Sequence, residues 1–282
     1  MKSEIQKFDI AQLEYDDHLK IRASDEMLAC TKRIFAAGEK FFRLDKSVKQ
    51  KNAAPQFGDE GWTDLGYEYN IDPERPDLSE GFWVAPKYAK KTEPIYREAL
   101  DLFRAMLEYT KLLNKVTREI TEKLVQYLNL PDSFAANFKF EHDSEAELLY
   151  YKPSSHDRDL LQDPHEDGLY LTYLKPIAPG LQLLVDGEYQ DAQLREDEIL
   201  VMPGEILALM TADRIRPLFH QVKRYEGYDE RFSLAYFTFP ELKGSKLNPW
   251  IRNERNKGVD ITEVARRNAY EKFALSASER PD

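Results

Sequence analysis

The feature that most constrains the fold of this chain is a change in the spacing of its apolar residues near residue 140. Before that point the spacing is helical. Residues 24–43 place Met27, Ile34, Phe35, Phe41 and Phe42 among charges, which predicts an amphipathic helix. Thr92-Glu93-Pro94 reads as a helix start, with Thr92 as cap and Pro94 in the first turn. From there Phe103, Met106, Leu113, Val116, Ile120 and Leu124 recur at spacings of three, four or seven, predicting one long helix that ends before Leu130-Pro131. Between the two helices lies an aromatic-rich loop region with Trp62, Tyr67, Tyr69, Phe82 and Trp83.

After residue 140 the segments shorten to strand length: ELLYY, LYLTYL, LQLLV, EILVM, EILALM and RFSLAYFTF. Turn residues separate them, at Lys152-Pro153, Ala178-Pro179-Gly180, Asp186-Gly187 and Pro203-Gly204. Asp186-Gly187 is a two-residue hairpin signal. Short strands in this succession predict a sandwich or jelly roll. From Asp260 to Phe273 the spacing is helical again, with Ile261, Ala265, Ala269 and Phe273 as buried positions. No repeat or interdomain linker interrupts the chain, so the reading is one domain over 1–282: a mainly helical region over 1–140, a jelly-roll core over 141–242 and a C-terminal helical segment over 243–282.

Composition bounds the function classes. With 42% hydrophobic and 32% charged residues the 282-residue chain is globular in character and long enough to bury a sizeable core. A net charge of -11 argues against nucleic acid as partner, because phosphate binding needs a basic face. No run of 18 uncharged apolar residues exists to span a membrane. The first residues, MKSEIQKFDI, lack the apolar core of a secretory signal, and the single cysteine, Cys30, excludes an intramolecular disulfide; both predict a cytoplasmic protein.

The chemistry-bearing residues cluster in the second half. His165 and Asp167 stand two apart in DPHEDGLYLTYL, at the start of a predicted strand, where residues i and i+2 share a face. His220 lies in a later strand-like segment, RPLFHQVKR. Two imidazoles and one carboxylate on one face suit Fe(II) and leave coordination positions open. Arg231-Phe232-Ser233 begins RFSLAYF, eleven residues after His220, and a hairpin at that spacing would bring Arg231 and Ser233 near the metal. An arginine beside a hydroxyl is a receptor for a carboxylate. A His-x-Asp pair alone is common; His-x-Asp, 52 residues, His, ten residues and Arg-x-Ser together are not.

With these motifs, the chain resembles the isopenicillin N synthase-like group of Fe(II)- and 2-oxoglutarate-dependent oxygenases. The blocks FFRLDKSVKQKN, DLSEGFWV, LLYYKPS, PHEDGLYLTYL, APGLQLLVDGEYQDA, LFHQVKR and RFSLAYF follow in the group's order, over residues 32 to 240. The resemblance implies an α+β fold, a double-stranded β-helix (a cupin-like jelly roll) flanked by N-terminal helices and a C-terminal helix. It implies that His165, Asp167 and His220 bind iron, that Arg231 and Ser233 grip 2-oxoglutarate, and that Tyr151 reaches the same co-substrate. O2 is the oxidant. The carboxylate of Asp167 implies hydroxylation, desaturation or cyclisation rather than halogenation. Leu149 and Ser154 replace the asparagine and cysteine of the group's Asn-x-Tyr-x-x-Cys block, Lys152 and Arg158 make the following loop basic, and the Asn-His-Gly segment of plant relatives is missing.

The substrate is read as a small molecule, an amino acid or natural-product intermediate. Phe237, which alternates onto the face of Arg231 and Ser233, and Trp62, Tyr67 and Tyr69 are the expected pocket wall; Lys152, Arg158, Arg214 and Arg216 are expected receivers of a substrate carboxylate. A monomer or homodimer is expected. Two other readings use the same residues: an iron oxidase of this fold that does not consume 2-oxoglutarate, and a non-catalytic jelly-roll binding module.

Overall fold

Alternation along the strands sorts this chain into two cores on either side of one sheet. The structure is a computed structural model whose described residues are 8–53, 60–70, 72–87, 89, 97–136, 138–152, 158–227, 230–244 and 246–270. The expected helix start at Thr92-Glu93-Pro94, with Ser154 and Phe273, lies outside them.

Among the described residues, eleven strands form two antiparallel sheets. The larger takes β1 (Leu19–Arg22), β2 (Gly61–Thr63), β3 (Glu80–Val84), β4 (Glu145–Tyr151), β6 (Leu171–Pro176), β9 (Glu198–Pro203) and β11 (Arg231–Thr238), in the order β1-β9-β6-β11-β4-β3-β2. The smaller takes β5 (Leu160–His165), β7 (Leu181–Val185), β8 (Glu188–Asp191) and β10 (His220–Lys223), in the order β5-β10-β7-β8. This is the expected jelly roll. Three strands of the larger sheet come from before residue 140, so the N-terminal region builds sheet as well as helix.

The period of two decides which core each residue joins. Ala146, Leu148 and Tyr150 of β4, Phe232, Leu234 and Tyr236 of β11, and Leu171 and Tyr173 of β6 join an outer core shared with the helices. Leu149 and Tyr151, Ala235, and Leu174 from the same strands join an inner core with Leu161, Leu181, Leu183 and Val222 of the smaller sheet. The outer core is covered by α1 (Asp25–Phe42) and α2 (Leu100–Tyr127). Ser24 caps α1 by accepting from the Met27 amide at 3.2 Å. A Cβ on Gly38 would lie 2.3 Å from Leu148 Cδ2, so glycine lets α1 approach the sheet. Every apolar position expected of α2 is buried, and each such side chain contributes about 1.5–3 kcal/mol. Buried tyrosine hydroxyls of the sheet find polar partners on α2: Tyr236 donates to Asn114 Oδ1 at 2.5 Å, and Thr117 donates to the Tyr173 hydroxyl at 2.9 Å.

Two expectations are corrected. EILALM is not a strand but the start of helix α3 (Glu205–Thr211). All residues from Ile206 to Thr211 are buried, so the run has no polar face, and such a run is ambiguous between helix and strand. Its ends decide: Gly204 is extended before the first turn, and Ala212 closes the last in the left-handed region at φ 55°. Nor are β10 and β11 a hairpin. β10 pairs with β5 and β7, whereas β11 crosses to the larger sheet and pairs with β4 and β6. The expected hairpin at Asp186-Gly187 is present, with φ 52° and 83° between Val185 and Glu188, which pair.

The helix α4 (Ile261–Tyr270) follows, with Ile261, Ala265 and Ala269 buried as expected.

Candidate metal and anion site

His165 ends β5, and His220 begins β10 directly opposite it in the ladder. The register slips between His220↔His165 and Val222↔Gln162, an irregularity that re-aims side chains at the strand end. The two rings pack at 4.2 Å between centroids. Asp167 is not on the strand with His165 but in the loop from β5 to β6, which turns its carboxylate back so that Oδ1 lies 3.7 Å from His165 Nε2. One ligand atom from each of His165, Asp167 and His220 lies within 4.8 Å of the other two, and no other such cluster occurs among the described residues.

Hydrogen bonds set the direction of each donor. His165 Nδ1 lies 2.8 Å from the carbonyl of Asp163, and His220 Nδ1 lies 3.3 Å from that of Leu218. A neutral imidazole that donates from Nδ1 to a carbonyl presents the lone pair of Nε2, the arrangement a metal requires. Burial and the neighbouring His220 push His165 down to about 4, so its ring is neutral at pH 7. Thr172 donates to Asp167 Oδ2, which leaves Oδ1 turned to the histidines. Two imidazoles and a carboxylate fit a divalent first-row metal such as Fe(II).

On β11, Ser233 lines the cavity that holds the three residues, and Arg231, two positions before it, lines an adjoining cavity on the other side of Tyr151. Arg231 is buried at 4% exposure. Its Nε donates to the Pro179 carbonyl at 3.1 Å and its guanidinium lies 4.9 Å above the Tyr151 ring. Its two terminal nitrogens have no hydrogen-bond partner among the described residues. Burial lowers its pKa from the ordinary arginine value. A buried guanidinium with two unused nitrogens fits an anion such as a carboxylate. Tyr151 is held at its hydroxyl, which donates to Gln162 Oε1 at 3.2 Å.

A cavity of about 580 Å³ opens between the sheets onto His165, Asp167 and His220. Tyr151, Ser233 and Phe237 line it, with Phe237 stacked on Trp83 at 5.6 Å between centroids. Tyr69 lines it too, whereas Trp62 and Tyr67 are not among its lining residues. Trp62 is instead in the core, donating to Glu80 Oε2 at 2.8 Å. The basic residues expected to receive a substrate carboxylate are engaged elsewhere. Lys152 pairs with Glu80, Arg158 donates to the Leu160 and Pro76 carbonyls, Arg214 pairs with Glu14, and Arg216 with Asp17. Apart from the Leu160 carbonyl, two residues from Arg158, these partners lie more than seventy residues away along the chain, which spacing does not disclose. Conversely, Trp83, Thr172 and Asn268 reach the cavity without having been singled out for it. Thr172 left a signal: it is the polar residue on the inward face of LYLTYL.

Residues 142–240 match the family model described as the 2OG-Fe(II) oxygenase superfamily. A UPF0676 protein of Schizosaccharomyces pombe is 24% identical over 249 residues, 81% of this chain and 75% of that protein. A probable flavonol synthase of Arabidopsis thaliana is 27% identical over 193 residues, 66% of this chain but 57% of its own length. Among solved structures, a full-length Neurospora crassa protein in complex with alpha-KG superposes at a TM-score of 0.76 with 19% identity, covering 93% of this chain and 89% of that one. A 2OG-Fe(II) oxygenase family protein from Caulobacter crescentus superposes at 0.71 with 18% identity, covering 93% and 92%. At these identities the structural likeness is one of fold.

Proposed function

We propose, from the premise that this chain belongs to the 2OG-Fe(II) oxygenase superfamily, that His165, Asp167 and His220 hold its iron, that Arg231 and Ser233 hold 2-oxoglutarate, and that a small molecule is oxidised in the cavity between the sheets. The chain is a non-haem Fe(II)/2-oxoglutarate-dependent oxygenase with O2 as oxidant, and the reading as a non-catalytic binding module falls. The observation that carries the site assignment is the convergence of the three ligand atoms within 4.8 Å. The buried Arg231 with two unpartnered nitrogens supports the co-substrate assignment.

Iron bound there supplies the redox chemistry, coupling oxidative decarboxylation of 2-oxoglutarate to oxidation of the substrate. The protein's residues do the rest. The carbonyls of Asp163 and Leu218 fix the ring orientation of His165 and His220. Thr172 occupies one oxygen of Asp167 and aims the other. Arg231, with its two unpartnered terminal nitrogens, and Ser233 would hold the distal carboxylate of 2-oxoglutarate. Leu149, Leu174, Leu181 and Val222 form the apolar wall of the cavity beside Ser233. Phe237 and Trp83 form an aromatic face for the substrate, read as an amino acid or natural-product intermediate undergoing hydroxylation, desaturation or cyclisation. Lys152, Arg158, Arg214 and Arg216 are engaged with Glu80, the Leu160 and Pro76 carbonyls, Glu14 and Asp17. Arg267 is a basic side chain that does reach this cavity.

Succinate formation tests the reading. The protein with Fe(II), 2-oxoglutarate and O2 should release succinate, faster in the presence of its substrate, and a screen of amino acids and small metabolites identifies that substrate by the stimulation. Turnover of a substrate without succinate would contradict the co-substrate assignment in favour of an oxidase of the same fold.

A further inference from the structure

The loop that carries Asp167 is held by a lattice of carbonyl hydrogen bonds. The Glu205 amide donates to the Asp167 carbonyl at 2.8 Å, the Ile206 amide to that of Leu169 at 3.0 Å, and the Gly204 amide to that of Tyr170 at 3.2 Å. These three amides open helix α3, where amides have no partner inside the helix. The remaining carbonyl in the series, that of Gly168, takes its hydrogen bond from a distant side chain: Asn268 Nδ2, on α4, at 2.7 Å. The same nitrogen lies 2.8 Å from Glu205 Oε2, while Asn268 Oδ1 faces Arg267 Nε at 3.4 Å. Two acceptors on one side and a donor on the other fix which way the amide points.

The packing leaves no slack at this point. A Cβ added to Gly168 would sit 2.7 Å from Asn268 Nδ2, and one added to Gly204 would sit 2.6 Å from the Asp167 carbonyl oxygen. Asn268 and Gly168 both line the cavity. Three of the four supports of the loop are main chain and follow from the fold. The fourth depends on one amide side chain, 100 residues away in sequence, which reaches the peptide next to a ligand residue.

We propose that Asn268 is a positioning residue of the metal centre: by holding the Gly168 carbonyl it sets the carboxylate of Asp167, and it makes helix α4 part of the site. The inference rests on the assignment of Asp167 as a metal ligand. Partners that orient ligands in this way typically contribute 10–100-fold in metal affinity.

Anaerobic calorimetric titration of metal-free protein with Fe(II), in the presence of 2-oxoglutarate, tests it. Asn268→Ala should weaken Fe(II) binding by about 10–100-fold. Asn268→Asp, which keeps the shape but removes the donor, should weaken it as well. Arg266→Ala removes a contact of the same helix that ends on the Leu242 carbonyl, away from the loop, and should bind Fe(II) as the parent does. The thermal midpoint of each metal-free variant separates a loss at the site from general loosening of α4: the two Asn268 variants should lose affinity beyond what any fall in midpoint shared with Arg266→Ala accounts for. Parent-like Fe(II) affinity in Asn268→Ala or Asn268→Asp overturns this inference alone. Absence of Fe(II) binding by the parent protein overturns the metal assignment, and this inference with it.

Discussion

The two sheets contribute to the site in opposite ways. The smaller sheet supplies both histidines from strand ends, where β5 and β10 slip register, and β5 is an edge strand. The larger sheet supplies Arg231 and Ser233 from β11, which has a neighbour on each side and is backed by the helices of the outer core. A metal is held by several donors that must converge on one point, and strand ends with a bulge can be aimed. An anion receptor needs burial, and Arg231 has it at the first position of β11, opposite Tyr151 of β4. Orientation is built where the smaller sheet slips register, and low dielectric where the two sheets pack together.

The largest effect should come from the smaller sheet's histidines. His220→Ala should abolish Fe(II)-dependent succinate formation and leave the sandwich folded, as read by circular dichroism. Retained turnover would show that the convergence at the bulge is not the metal centre.

Next comes the larger sheet. Arg231→Met should raise the Kd for 2-oxoglutarate by about 30- to 4000-fold, since truncating one member of a buried charge pair costs roughly 2–5 kcal/mol. Without 2-oxoglutarate the same variant should melt no lower than the parent, because it removes a buried charge whose terminal nitrogens lack partners among the described residues. Unchanged 2-oxoglutarate affinity, or a large fall in melting temperature, would contradict the receptor role. Arg231→Lys should recover only part of the affinity, lacking the two parallel donors.

A third test uses pH. His165 titrates near 4 in the folded metal-free protein against about 6.5 when unfolded. Between those values the unfolded state binds the extra proton, so stability falls as pH drops from about 6.5 to 4 and is flat above that window. Denaturant midpoints across pH measure this slope, which His165→Ala should reduce. A slope of equal size in the variant would remove His165 as its source.

The smallest effect lies at the β7–β8 turn of the smaller sheet. Gly187 has φ 83° and open space around it, so Gly187→Ala should cost about 1 kcal/mol through backbone strain alone and leave Fe(II) affinity unchanged. A loss of metal binding there would mean that the sheet transmits strain to its histidines.

Much of this architecture was legible in the sequence because it follows from local spacing. The seams at Ser24, Leu130 and Asp186-Gly187, the buried positions of α1 and α2, and the alternation of β11 are all short-range signals. The run Ile206–Met210 was not legible as a helix, because complete burial erases the difference between its faces. The candidate site was legible as residue types and order but not as geometry: Asp167 reaches its place through a loop, and β10 and β11 lie in different sheets. Lys152 and Arg158 looked available because their partners, Glu80 and the Pro76 carbonyl, are more than seventy residues away. Asn268 was hidden for the same reason. Its importance comes from a carbonyl that only the folded loop presents.

The central claim is that the bulge of the smaller sheet and the centre of the larger one form one site. Anaerobic titration of Fe(II) into the protein with 2-oxoglutarate tests it directly through the weak visible charge-transfer band of an iron–2-oxoglutarate complex. The account predicts a band that saturates at one Fe(II) per chain, disappears in His165→Ala, and in Arg231→Met forms only at much higher 2-oxoglutarate. A band that survives His165→Ala, or no band in the parent protein, would contradict it.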